Sequence, residues 1–482
     1  MNFIKRPDDS AIKGFFAGWL VASLLLLQCV YLPDHPAFHV LSVVVVPFLI
    51  FGVLTKDFLV SLTLVAVNEM FFGVGGLWVT IGPINGRAML LAVLMGAYLM
   101  SSPDTKISGR AFPARGRKVL GYAILFPALC LGFAVGIKHN PFGGAMSDLM
   151  RFAGLLLYFP LLYAFDKKPM TMIGCIVAMS WMLGGCYAAM AYGDLSLRYA
   201  LIEKWIYAFS PVELKIEAVI AMERTFFTPL MLCFIALFYG LFLRLGRNFR
   251  FYWYIPMFYL LATGVAALVL NSARGPLAAL ALLILFIILL LFLSGRVVFA
   301  TVMCICVVSA GIGSFVFASE HLVAAQSKLD IGGASFVDIV DPVRVEQVQY
   351  MMREWLREPL FGQGVGASIQ GYARDESGLA FEVQYPMMLY RLGLIGFVVL
   401  MAPVLYVSWS IMRRAWKTRL RLENPLAMFL MATGFSLLTL LLASWVNPYF
   451  ASAMTPMLFA MYLAVDAVLK SAESHHPVHG PR

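Results

Sequence analysis

"LVLNSARGPLAAL", residues 268–280, is the stretch on which the reading of the fold turns. About twenty residues before it and about eighteen after it carry no charge, each run roughly long enough to cross a bilayer. Between them stands one cation, Arg274, flanked by Ser272, Gly275 and Pro276. The stretch predicts a membrane hairpin with an arginine at its tip and Pro276 in the first turn of the second helix.

Composition extends that reading to the whole chain. Its 482 residues are 61% hydrophobic and 13% charged, with a mean hydropathy of +0.84, whereas a soluble domain carries about 25% charged residues. The pattern predicts an all-α polytopic membrane protein. The apolar runs give about fourteen transmembrane helices, at 14–32, 39–54, 58–72, 84–100, 118–137, 150–165, 170–191, 225–243, 251–270, 276–293, 297–318, 385–411, 425–443 and 450–469. Lys5, Arg6 and Lys13 precede the first run, which lacks a small-x-small cleavage site, so an uncleaved helix is expected. All seven cysteines fall in apolar runs and read as small core residues.

The net charge of +10 is therefore read by side of the membrane. No basic tract interleaved with aromatics supports nucleic-acid binding. Short basic connections ("TKD" at 55, "PDTKISGRAFPARGRK" at 103, "DKKP" at 166, "RLGRNFR" at 244, "SGR" at 294, "RRAWKTRLRLEN" at 413) alternate with more acidic ones. The basic set, with both termini, is expected on the cytoplasmic side. The expected division is 1–191 N-terminal transmembrane helices, 192–224 a periplasmic segment and 225–318 further transmembrane helices. After these come 319–384, a long periplasmic loop with helices, then 385–470, the C-terminal transmembrane helices, and 471–482, a cytoplasmic tail.

The outer side keeps an unexpected set of arginines. Arg87, Arg151, Arg224, Arg274 and Arg391 lie at or just inside outer helix ends, the depth of a lipid head group. A guanidinium presents a rigid fork of donors matched to phosphate oxygens. Pairing with nearby acids, or snorkelling, is the competing reading. Asn68 and Glu69 stand out as polar residues late in the third run.

Two outer segments carry the rest. In "DPVRVEQVQYMMREWLREPLFGQGVGAS", Asp341 and Pro342 start a helix and Pro359 ends it. Val345, Val348, Met352 and Trp355 define its expected buried face. Arg344 sits in the first turn, where the helix dipole disfavours a cation. "GQGVG" follows a helix rather than a strand, so its glycines read as backbone freedom in a tight loop, not as a nucleotide loop. In "FEVQYPMMLYRLGLIGF", Glu382 precedes a span and is a candidate general base. It is not expected to pair with Arg391, nine residues on.

Four stretches together resemble the superfamily of O-antigen ligases and Wzy-type O-antigen and exopolysaccharide polymerases. They are "NSARGPLAAL", "RVEQVQYMMREWLREPLFGQGVGAS", "EVQYPMMLYRLGLIG" and "NPYF", in that order between residues 271 and 450. The resemblance implies a GT-C-like fold with a helical periplasmic lobe, in a bacterial inner membrane, with the active site facing the periplasm. It implies a glycosyltransferase using an undecaprenyl-pyrophosphate-linked glycan, without metal or other cofactor. Glu382, in place of the ligases' histidine, points to a polymerase of repeat units. A ligase to lipid A-core, or a lipid-linked glycan flippase, is the alternative. Catalysis is expected from Glu382 and Arg274, and pyrophosphate binding from Arg224, Arg344, Arg151, Arg87 and Arg391. Expected partners are the lipid-linked donor, an acceptor glycan (lipid-linked repeat or lipid A-core), membrane lipids and a chain-length regulator.

Overall fold

The computed structural model describes residues 9–31, 36–72, 80–81, 84–101, 129–150, 152–192, 227–246, 274–305, 342–369, 383–444 and 454–475. Among these the chain is helical, apart from one short hairpin pairing Thr80–Ile81 with Ile84–Asn85. The first helices are α1 (Asp9–Tyr31), α2 (Phe38–Thr55), α3 (Phe58–Phe72) and α4 (Gly86–Met100). Next come α5 (Leu129–His139), α6 (Phe142–Met150), α7 (Ala153–Lys167), α8 (Pro169–Tyr192) and α9 (Phe227–Gly246). The later ones are α10 (Arg274–Leu293), α11 (Pro342–Trp355), α12 (Gln384–Thr418), α13 (Pro425–Ala443) and α14 (Met454–His475).

Local chemistry explains several boundaries. The Asp57 carboxylate accepts from the Val60 amide at 3.0 Å to start α3, and its other oxygen accepts from the Tyr163 hydroxyl at 2.9 Å, tying α3 to α7. Asn85 caps α4 through the Ala88 amide at 2.9 Å. Asn424 caps α13 through the Leu426 amide at 2.9 Å, with Pro425 in the first turn. Small residues bring backbones together where α1 lies along α8. A Cβ on Gly14 would meet the Thr171 backbone, and one on Gly174 the Ala11 backbone. Aromatic edges fill the core between α9 and α13, with Phe238 and Phe435 rings 5.5 Å apart.

The count of fourteen spans is overturned. Among the described residues, four helices are long and apolar enough to cross a membrane: α2, α12, α13 and Met454–Glu473 of α14. A fifth exists if α6 and α7, bent by 42°, form one broken span. For several of the runs the physical reason is length. Two of them fold into α3 and α4 at 15 residues each, or about 22 Å of helix against a hydrocarbon core of about 30 Å. Hydropathy reports burial, and these helices bury their apolar faces in one another; every residue of α3 after Phe58 is buried. This removes the fourteen-span, GT-C-like fold and the O-antigen or exopolysaccharide polymerase assignment built on it. What stands is a membrane-associated, mainly helical protein with, among the described residues, four or five apolar spans and a large helical core. The expected span at 251–270, most of the one at 118–137 and the outer segment 192–224 lie outside the described residues.

The spans differ in surroundings. Of the apolar window of α13, 89% is buried within the protein, against 28% of that of α12. Leu394, Ile395, Val398, Leu405, Tyr406, Trp409 and Trp416 of α12 are exposed and give it an apolar outer face.

Candidate functional site

The best-defined polar site is a repair of a broken helix. Gly393 interrupts α12 with φ 64° and ψ −177°, a conformation suited to glycine. A break of this kind frees carbonyls on one side and amides on the other, and buried backbone groups need partners. The glycine loop that follows α11 supplies them. Gln363 and Gly364 donate their amides to the Tyr390 and Arg391 carbonyls at 2.9 Å each, while the Leu394 and Ile395 amides donate to the Pro359 and Leu360 carbonyls at 2.8 and 3.2 Å. The loop thus replaces the hydrogen bonds that continuous helix would have made, which is how irregular backbone persists beside a membrane.

The same loop is fixed on its far side by α5 and α6. Gly364 and Gly366 have φ of 84° and 85°, and a Cβ on either would run into the backbone of Gly136 or Ala145. The Val365 amide donates to the Gly132 carbonyl at 3.0 Å. The Asn140 side chain donates through Nδ2 to the Gln363 carbonyl at 2.9 Å. The expectation that these glycines serve backbone geometry is met.

An ion pair sits beneath the loop. Arg391, 4% exposed, and Asp148, 2% exposed, approach to 2.6 Å between Nη1 and Oδ2. The same Oδ2 accepts from the Gly366 amide at 2.9 Å, and Arg391 donates through Nε and Nη2 to the Ala367 carbonyl at 3.2 and 2.9 Å. One arginine and one aspartate therefore pin the loop from α12 and α6. Beside them is a small cavity of about 20 Å³, lined by Asp148 and Arg391 with Leu129, Phe152, Met387 and Leu392. Charged groups this deep in an apolar protein are costly and mark sites.

The other expected site residues fall as follows. Arg87 is buried in α4 and pairs with Glu69 of α3, 2.7 Å from Nε to Oε2. Its Nη2, and both amide atoms of the fully buried Asn68, have no hydrogen-bond partner among the described residues. Arg344 is half-buried in the first turn of α11. Arg274 is the first residue of α10. Glu382, Arg224 and Arg151 lie outside the described residues. Two of the expected phosphate-binding arginines, Arg391 and Arg87, thus have carboxylate partners, the competing reading for each. Asp148 went unremarked in the sequence, because nothing along the chain joins it to a glycine loop 218 residues on.

On α11 the start at Pro342 matches the expectation, the helix stops at Trp355 with Pro359 after the turn that follows, and the buried face differs. Gln347 and Met351 are the deepest positions, and Val345, Val348, Met352 and Trp355 are half-buried. Trp355 donates its indole N–H to the Pro359 carbonyl at 3.0 Å, which closes the turn out of the helix. Two of the cysteines expected in the core, Cys130 and Cys304, are exposed, and Cys175 is buried. No group of His, Cys, Asp and Glu able to hold a metal occurs among the described residues.

No family model matches the chain, and none of the curated proteins is detectably similar to it.

Proposed function

We propose that the chain is a membrane-associated enzyme that acts on a polyprenyl-pyrophosphate-linked glycan, transferring the sugar from the lipid pyrophosphate to an acceptor hydroxyl. The observation that carries the proposal is the glycine loop seated in the α12 break above the Arg391–Asp148 pair. Two stretches of the resemblance, residues 344–368 and 382–396, meet there backbone to backbone. From Leu394 to Met412 helical rise gives about 27 Å, close to a bilayer's hydrocarbon thickness, which supports a reading with the break near one membrane boundary and the basic residues from Arg413 on near the other. The positive-inside rule then puts the basic end in the cytoplasm and the loop on the opposite side.

In this reading the acceptor oxygen attacks the anomeric carbon, the bond from that carbon to the pyrophosphate oxygen breaks, and the hydroxyl proton passes to a base, for which Glu382 is the candidate. The departing pyrophosphate needs cations. Arg344, Arg274 and Arg224 are the candidates to supply them. Arg391 holds the loop in place as a positioning residue.

The test is release of polyprenyl pyrophosphate from a synthetic lipid-linked oligosaccharide by the purified full chain in nanodiscs, read by mass spectrometry. Glu382→Gln and Arg344→Gln should each lower the rate about a hundredfold, the scale of a lost general base or charge-stabilising donor. Absence of release and of donor binding by the wild-type chain, across several glycans, would sink the proposal. Unchanged rates in both variants would remove these residues from it.

A further inference from the structure

At the opposite end of α12 from the glycine loop, three guanidinium groups converge on the C-terminus of α10. Helix α10 ends at Leu293, and the turn that follows, "SGR" at 294–296, satisfies the helix's own carbonyls. The Ser294 and Arg296 amides donate to the Leu290 and Leu291 carbonyls at 2.9 and 3.0 Å, and the Ser294 hydroxyl to Leu291 at 2.8 Å. The next two carbonyls are met from across the protein. Arg419 donates Nη1 to the Leu293 carbonyl and Arg421 donates Nη2 to the Ser294 carbonyl, each at 2.9 Å. The backbone is strained to do this: Arg419 and Leu420 are non-glycine residues at φ 47° and 57°.

The third cation is Arg296. Its Nη1 is shielded from solvent and has no acceptor among the described residues. Burial first, and the Arg421 charge second, hold its pKa below the usual arginine value. Among the described residues none of the three forms an ion pair with a carboxylate. Neighbouring Arg414 differs, since it bonds Asp466 at 3.1 Å together with Lys470. A helix C-terminus favours cations, yet two backbone carbonyls do not balance three charges. Each guanidinium carries five donors in a fork that fits a phosphate, and Arg419 and Arg421 spend only one apiece on the carbonyls.

The surroundings choose the kind of anion. Phe292, Leu293, Val297, Val298 and Trp416 are exposed around the cluster. A free phosphate has no use for this apolar collar, whereas lipid acyl chains would cover it. The cluster also begins where the α12 span ends, at head-group depth.

We propose that Arg296, Arg419 and Arg421 form a binding site for the phosphate of an anionic phospholipid, whose acyl chains lie against Phe292, Leu293 and Trp416. The site stands apart from the glycine loop and does not depend on the enzymatic reading.

Native mass spectrometry of the full chain, released from detergent micelles doped with phosphatidylglycerol or phosphatidylcholine, tests it. The wild-type chain should retain phosphatidylglycerol in preference. The Arg296→Gln, Arg419→Gln, Arg421→Gln triple variant keeps amide donors for the two carbonyls but removes the charge. It should retain phosphatidylglycerol about tenfold less well, the scale of one or two charge-assisted hydrogen bonds. The single variant Arg296→Gln leaves both carbonyl bonds in place and should show part of the loss at an unchanged melting temperature. Equal retention of the two lipids by the wild-type chain, or undiminished phosphatidylglycerol on the triple variant, would overturn the proposal. So would displacement of the lipid by millimolar inorganic phosphate, which would mark a free-anion site.

Discussion

Arg391 and Asp148 show how much of this site rests on two side chains. Removing one leaves the other as an uncompensated charge away from water, which costs about 3–5 kcal/mol for a buried pair. Arg391→Ala and Asp148→Ala should each lower the melting temperature in detergent sharply. The double replacement Arg391→Met with Asp148→Leu should restore much of the loss, because no lone charge remains. A loss in the double variant equal to the sum of the two single losses would mean that the side chains are not coupled. The pair between Arg87 and Glu69 follows the same logic. At Asn68 the sign reverses: its buried amide has no partner among the described residues, so Asn68→Leu should be neutral or stabilising, read by the same melt. At this scale the sequence was half legible. It marked Arg391, Arg87 and Glu69 as charges in the wrong place, and left open that two of the arginines are held by carboxylates. Asp148 looks ordinary in "AMSDLM", because its importance comes entirely from what lies above it.

For elements, the informative case is α12. The run 385–411 reads as one apolar helix, and nothing in its hydropathy reveals the break at Gly393, since glycine is common in membrane helices. The break exists because the 359–364 backbone completes it. Gly393→Ala should therefore do more than strain one residue. It should loosen the loop, with a destabilisation of about 1–3 kcal/mol and faster hydrogen exchange at the Gln363, Gly364 and Leu394 amides. Exchange that stayed unchanged would show that the loop does not depend on the break. The start of α11 was legible, because Pro342 acts locally through its own backbone chemistry, and its end at Trp355 only roughly so, four residues before Pro359. Its buried face was not, because Gln347 is buried by a tertiary neighbourhood that an apolar periodicity rule cannot anticipate.

For the whole molecule, the question is which helices meet lipid. Tyr406, Trp409 and Trp416 of α12 face outward, whereas α13 and α14 are sheathed by other helices. In bilayers containing brominated lipids, Trp409 fluorescence should be quenched strongly, and Trp409→Phe should remove that quenching. Bromine placed deep in the acyl chains should act on Trp409 more than on Trp416, which lies nearer the basic end. No quenching at either tryptophan would argue that α12 does not face lipid.

Composition by itself determined that this chain is helical and belongs with a membrane, because apolar content and charge scarcity are sums that no folding pattern can hide. Local sequence also determined the prolines that start helices and the glycines of "GQGVG", since helix starts and left-handed turns are decided within a few residues. The number of spans, the partner of each buried arginine, the break in α12 and the triple-arginine end of α10 were decided only by the tertiary structure. An apolar run has the same hydropathy whether lipid or another helix covers it. A charge has the same letter whether a carboxylate 2.6 Å away neutralises it or it still awaits an anion.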